Sequence, residues 1–165
     1  MTLPSWAVVT PKRRAHIERV AALLDDWAGA MRAPESERGR WLRAAWLHDA
    51  LRDAPAANEL EHGPRAADRA AREGEADRGV LDAVRHHSVG YAGWDEVGRM
   101  LYLADYLEPG RNLERDERAG LRARVPSERD AVLIEVARCR LIWVLRSGWP
   151  LPKETVEFWN SLVRL

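Results

Sequence analysis

One cysteine, Cys139, occurs in the 165 residues. That excludes an intramolecular disulfide and a CxxC zinc or redox site, and it points to a reducing compartment. Lysine is nearly missing as well. With Lys12 and Lys153 the sole lysines, 24 of the 26 basic residues are arginine, a bias that genome composition explains as readily as phosphate binding. No excess charge of either sign exists, since 26 Lys+Arg face 26 Asp+Glu, so there is no global basic face to attract nucleic acid or an acidic membrane. No apolar run approaches the ~18 residues of a membrane span. The basic cluster Lys12, Arg13, Arg14 follows the apolar residues 6–9, the reverse of a secretory signal. A cytoplasmic protein with no nucleic-acid or membrane partner is expected. The sequence also lacks GxxxxGK[ST], GxGxxG, GxSxG and HExxH, which removes the P-loop, Rossmann, serine-hydrolase and zincin readings. What is present suffices for one domain over residues 1–165, with 46% hydrophobic residues to fill its core and an irregular segment at 1–9.

The apolar residues recur at helical spacing. Pro11, His16, Val20, Leu23, Leu24, Trp27 and Met31 predict a first helix of about 20 residues, with Thr10 as its cap and Pro11 at its first position. A second helix begins near Ser36 and ends before Asp53-Ala54-Pro55, which places His48 and Asp49 in its last turn. A short third helix, begun by His62, covers the Ala- and Arg-rich stretch to Arg72 and closes at Gly74; a fourth spans 77–87 and a fifth 94–107. The last long helix is expected to open at Ser127, whose spacing to Asp130 resembles a capping box, and to run to Gly148. A final helix follows Pro152. No strand-like alternation of useful length appears. The predicted class is all-α, a compact array of about seven or eight helices.

Five histidines are an ordinary number, but their placement is not. His16 lies on the apolar side of the first helix, His48 and Asp49 close the second, His62 opens the third, and His87 and Asp105 sit on the apolar sides of the fourth and fifth. Singly, each reads as a hydrogen-bonded core residue or an internal cap. Together they are costly to bury unless paired or holding a metal. His86 points about 100° away from His87 on a helix and is set aside. Six candidates are too many for one catalytic ion that must keep an open position, so two ions fit better. Asp49 would bridge an ion held by His16, His48 and Asp105 to another held by His62 and His87, with water completing both shells. With no thiolate at hand, the donors favour Fe, Mn, Co or Mg over a structural zinc. Such a pair suits phosphoester or phosphoanhydride hydrolysis.

The ordered set His16, His48-Asp49, His62, His87, Asp105 resembles the HD-domain phosphohydrolase superfamily. Arg85-His86-His87-Ser88-Val89-Gly90 and Leu103-Ala104-Asp105-Tyr106-Leu107-Glu108-Pro109-Gly110-Arg111 are similar to its YqeK-type branch, the symmetrical bis(5′-nucleosyl)-tetraphosphatases. The tail from Pro150 through Asn160 is similar to that branch's C-terminal helix entry. The resemblance implies an all-helical HD fold, a dinuclear iron centre on His16, His48, Asp49, His62, His87 and Asp105, and cleavage of diadenosine tetraphosphate to two ADP. The chain departs from the branch at two places. Arg52 stands at the HDxxK lysine position, where a guanidinium fork replaces a point charge, and the stretch between Asp49 and His62 is short.

The expected function is therefore metal-dependent hydrolysis of a nucleotide phosphoanhydride. Asp49, Asp105 and Arg52 are the expected catalytic residues, with Asp105 or a water carrying protons, and Arg52 and Arg111 neutralising phosphate charge. The expected partner is a small nucleotide, and a homodimer is compatible with the sequence. A nucleotidase or phosphomonoesterase on the same centre, and a non-catalytic nucleotide-binding HD protein, are the alternatives.

Overall fold

The computed structural model describes residues 1–111 and 114–163. Among them are seven α-helices and no strand: α1 (Pro11–Ala30), α2 (Glu35–His48), α3 (His62–Arg72), α4 (Arg78–His86), α5 (Glu96–Leu107), α6 (Arg115–Arg146) and α7 (Lys153–Leu162), with a 3₁₀ turn at Glu59–Glu61 before α3. Among the described residues no helix is long and apolar enough to cross a membrane.

Local chemistry sets most boundaries. The Thr10 hydroxyl accepts from the Arg13 amide at 3.3 Å and Pro11 supplies the first-turn residue that needs no amide. Asp77 and Asp95 cap α4 and α5 by accepting from the amides of Val80 (3.1 Å) and Val97 (3.0 Å). Helix α5 is apolar nearly all round, with Val97, Met100, Leu101, Leu103 and Leu107 fully buried, so it forms the central rod that α1, α2, α4 and α6 surround.

Two glycines let elements close in. A Cβ at Gly63 would lie 2.9 Å from the carbonyl oxygens of Val84 and Arg85, so glycine there allows the start of α3 to abut the end of α4. Gly90 has φ +89°, and a Cβ on it would meet the Phe158 ring at 2.4 Å; α7 docks through that ring against Trp94 and Tyr102.

The sixth helix departs from expectation. It starts at Arg115, ahead of Ser127, and runs to Arg146 as two helical stretches that meet at a break in helical dihedrals at Glu128 (φ −133°, ψ 32°), two residues past Pro126. Ser127 is not a cap: its hydroxyl donates to the Arg124 carbonyl at 3.4 Å. Tertiary contacts hold the first half. Leu121 and Val125 are buried, and Arg118 and Arg122 donate to the Tyr106 and Leu107 carbonyls left open at the end of α5.

Candidate metal centre

Five helices deliver the six donors to one place. His16 comes from the second turn of α1, His48 is the last residue of α2 and Asp49 its cap, His62 is the first residue of α3, His87 caps α4, and Asp105 faces inward from α5. All six are buried. They were all candidates from the sequence, and the fold brings all of them together. His86 turns away and stacks on Tyr91 at 4.5 Å.

The imidazoles are oriented by their Nδ1 atoms. His48 Nδ1 lies 2.7 Å from the Ala45 carbonyl, His62 Nδ1 2.5 Å from that of Glu59, and His87 Nδ1 2.8 Å from that of Val84. A carbonyl only accepts, so each Nδ1 carries the proton and each Nε2 presents a lone pair to the centre. His16 Nδ1 does the same to Glu108 Oε1 at 3.1 Å.

The Asp49 carboxylate stands between two sets of these nitrogens. Oδ1 is 3.2 Å from His62 Nε2 and 3.3 Å from His87 Nε2, while Oδ2 is 3.6 Å from both His16 Nε2 and His48 Nε2. His16 Nε2 is also 3.1 Å from Asp105 Oδ1. The Nε2 atoms of His62 and His87 are 3.0 Å apart, so two lone pairs and a carboxylate oxygen converge. Only the Ser88 hydroxyl, 3.3 Å from His87 Nε2 and 3.5 Å from His62 Nε2, offers a hydrogen there. One hydrogen cannot satisfy three buried acceptors, whereas a cation can. His16, His48 and Asp105, and also His48, Asp49 and His87, are grouped closely enough to share an ion. Hard and borderline donors in this number fit a divalent metal.

Charge around the donors is managed by arginines that the sequence reading did not single out. Arg13 Nη1 donates to Asp49 Oδ2 at 2.7 Å, and Arg140 Nη2 donates to Asp105 Oδ2 at 2.7 Å. Arg19 donates to Glu108 Oε2 at 2.5 Å. Burial alone would push the Asp49 carboxyl upward, but His48, His62 and His87 hold it well below the usual range. Asp105 is held down likewise, against its burial, by Arg111, His16 and Arg140. Burial pushes His48 down to about 4. On His16 burial also opposes charge, yet hydrogen bonds to Asp105 and Glu108 outweigh it and raise the ring to about 9 in the metal-free protein.

Arg52 and Arg111 take different positions. Arg52 donates to the Glu59 carbonyl at 2.9 Å and its carboxylate at 3.2 Å, and its guanidinium edge lies 3.3 Å from His62 Nδ1. It thus braces the turn that orients His62. Arg111 donates to Asp105 Oδ1 at 2.8 Å and to the Asp105 carbonyl. Two of the missed partners had a signal: Arg13 is three residues before His16, hence on the same face, and Glu108 lies inside the Asp105 segment.

The HD domain family model matches residues 13–110, which include all six donors. The chain belongs to the HD-domain family. The Bacillus subtilis (strain 168) protein named symmetrical bis(5′-nucleosyl)-tetraphosphatase is 29% identical over 106 residues, covering 64% of this chain and 56% of the relative. A Staphylococcus aureus protein of the same name is 24% identical over 104 residues, 62% of this chain and 54% of the relative. The chain thus spans about half the length of the curated relatives it matches. A solved Clostridium acetobutylicum structure, described as a predicted HD superfamily hydrolase involved in NAD metabolism, superposes with a TM-score of 0.80 at 21% identity over 93% of this chain and 90% of that one. That likeness, over 93% of the chain, shows that the shared fold extends beyond residues 13–110.

Proposed function

We propose that this chain, a single HD domain over residues 1–165, is a cytoplasmic metal-dependent hydrolase that cleaves diadenosine tetraphosphate symmetrically to two ADP. The observation that carries the reading is the Asp49 carboxylate, with one oxygen toward His16 and His48 and the other toward His62 and His87. That is the arrangement of a carboxylate shared by two ions, iron in our reading. His16, His48, Asp49 and Asp105 would hold one, and Asp49, His62 and His87 the other. Two ions so placed supply an activated water and a clamp for the attacking and leaving oxygens.

The rest belongs to the chain's own side chains. Arg13, Arg19, Arg111 and Arg140 already balance Asp49, Asp105 and Glu108, so divalent cations added among the imidazoles make the centre strongly positive. A polyanion such as a tetraphosphate bridge matches that field better than a monophosphate does. Arg111, 40% exposed, can exchange Asp105 for a phosphate oxygen, and Arg52 can exchange the exposed Glu59 carboxylate for another. Asp105, held ionised and bonded at both oxygens by His16, Arg111 and Arg140, serves as a ligand and not as the proton carrier. In the reaction one water adds across the central anhydride: one ADP takes its oxygen, and the other leaves with the bridging oxygen and gains a proton. The names of the Bacillus and Staphylococcus relatives support this substrate.

The test is product analysis of diadenosine tetraphosphate cleavage by the iron- or manganese-loaded protein in ¹⁸O-labelled water. ADP is expected as the sole early nucleotide, with label in one of every two molecules. ATP plus AMP would overturn symmetrical cleavage, and faster phosphate release from nucleoside monophosphates would replace the reading with a nucleotidase.

A further inference from the structure

Helix α6 lies outside the segment that the family model matches, yet it sends Arg140 behind the site. The guanidinium donates from Nη2 to Asp105 Oδ2 at 2.7 Å and from Nη1 to the His87 carbonyl at 3.2 Å. Its Cζ lies over the Tyr102 ring, 4.2 Å from the centroid, and 5.5 Å from the Tyr106 centroid. Tyr102, Asp105 and Tyr106 are spaced i, i+3, i+4 on α5, so one helix face presents an acceptor between two aromatic surfaces. Arg140 therefore ties the α5 donor to the α4 donor with a single rigid group.

We propose that Arg140 is a positioning residue that occupies Asp105 Oδ2, leaves Oδ1, the oxygen shared by His16 and the half-exposed Arg111, to face the centre, and fixes the spacing of Asp105 to His87, thereby setting the affinity of the centre for its ions. The inference rests on the metal reading above. Oδ2 is consumed by Arg140, while Oδ1 faces His16 Nε2 at 3.1 Å and Arg111 Nη2 at 2.8 Å; without Arg140 the carboxylate is held only through Oδ1, by a half-exposed guanidinium and an imidazole, and Oδ2 can turn toward the centre or the group swing out of reach. A purely structural role explains the arrangement less well. Burying a guanidinium is costly, its Nε atom finds no partner, and an apolar side chain would fill the same space more cheaply. Lysine could not replace it, because one ammonium cannot reach both Asp105 and the His87 carbonyl while a planar cation stands over the Tyr102 ring. Arg140 is bonded to Oδ2, the Asp105 oxygen that does not face His16, and to the His87 carbonyl, so its effect passes through the ligands.

The experiment titrates chelator-stripped protein with Mn²⁺ by electron paramagnetic resonance, in wild type, Arg140→Met, Arg140→Lys and Tyr102→Leu. Removing an outer-shell partner weakens metal affinity about 10–100-fold. We expect that loss in both Arg140 variants, a smaller one in Tyr102→Leu, and lowered kcat for diadenosine tetraphosphate at unchanged KM. On an Asp105→Asn background, Arg140→Met should add little, since the two act as a unit. Wild-type Mn²⁺ affinity in a folded Arg140→Met, or a raised KM with unchanged kcat, overturns the proposal while leaving the metal reading intact. Failure of both Arg140 variants to fold, with Tyr102→Leu binding Mn²⁺ normally, overturns it too by making Arg140 a core strut. A wild-type protein that binds no Mn²⁺ instead overturns the metal reading.

Discussion

Asp49→Asn is the sharpest test of the shared-carboxylate geometry, because the substitution keeps shape and removes charge. Asp49 is 3% exposed and meets four imidazoles and Arg13. In the metal-free state the replacement is tolerable. The new amide can donate to an Nε2 lone pair, and Arg13, 26% exposed and 4.0 Å from Asp53, has water and a second carboxylate to turn to, so the cost of losing a charge that His48, His62 and His87 stabilise should be about 1–3 kcal/mol. With metal the comparison inverts. An ion that binds only the folded state adds about 2.7 kcal/mol at a hundredfold excess over its Kd. At about 2–4 °C per kcal/mol for a chain of this length, wild type should gain roughly 5–11 °C in Tm per ion. Asp49→Asn should gain almost none, because the amide aims a donor at the cation and both donor sets lose their common charge. Scanning calorimetry with and without Mn²⁺, and elemental analysis after gel filtration, read the two effects separately. Retention of both ions and of the full Tm gain in the variant would refute the bridge, and loss of one ion of two would place Asp49 in a single donor set.

Two further outcomes are expected. His16 in the stripped protein is raised to about 9, opposed by burial but secured by Asp105 and Glu108; a raised pKa gives stability that is complete below the unfolded value near 6.5 and is lost as pH climbs through about 9. Urea midpoints of the stripped protein should therefore fall from about pH 6.5 to 9, and a flat profile would show that His16 carries no proton. Gly63→Ala puts a Cβ 2.9 Å from the Val84 and Arg85 carbonyls and 3.3 Å from His87 Cε1. It should lower stability by about 1–3 kcal/mol and reduce Mn²⁺ uptake by shifting His62 off His87; unchanged uptake would mean that α3 can move without disturbing the centre.

The donors were legible in the sequence because each sits where local rules are strongest. A histidine on an apolar stripe, or at the end of a helix marked by Asp53-Ala54-Pro55 or Gly90, declares both its position and its burial. The first half of α6 was not legible. Six of its 13 residues 115–127 are charged and only Leu121 and Val125 are large and apolar, and the carbonyls that anchor Arg118 and Arg122 belong to α5, so a window on the sequence shows no apolar stripe. The Ser127–Asp130 spacing misled for a related reason: capping geometry requires a chain that begins there, and here the chain arrives already helical. Arg140 carries no signal at all, since an arginine on a helix reads as a solvated face until Asp105, 35 residues earlier, is folded against it.

The histidines also explain why Glu108 is buried. His48, His62 and His87 each lie at a helix terminus or tight turn and each donate Nδ1–H to the carbonyl three residues earlier, Ala45, Glu59 and Val84. One local device, used three times, fixes the tautomer and aims Nε2 at the centre without help from any other element. His16 cannot use it. It lies inside α1, where the carbonyls of the preceding turn are already bonded within the helix. Its Nδ1 therefore needs an acceptor from elsewhere, and Glu108, at the end of α5 and 2% exposed, supplies it. A carboxylate so buried needs neutralising in turn, which Arg19 and the Gly110 amide at 2.6 Å provide. The Glu108-Pro109-Gly110 corner after α5 is thus not only a helix stop. It is the external substitute for a carbonyl that the interior of α1 cannot offer, and it orients the fourth imidazole with Nε2 toward the centre as in the other three.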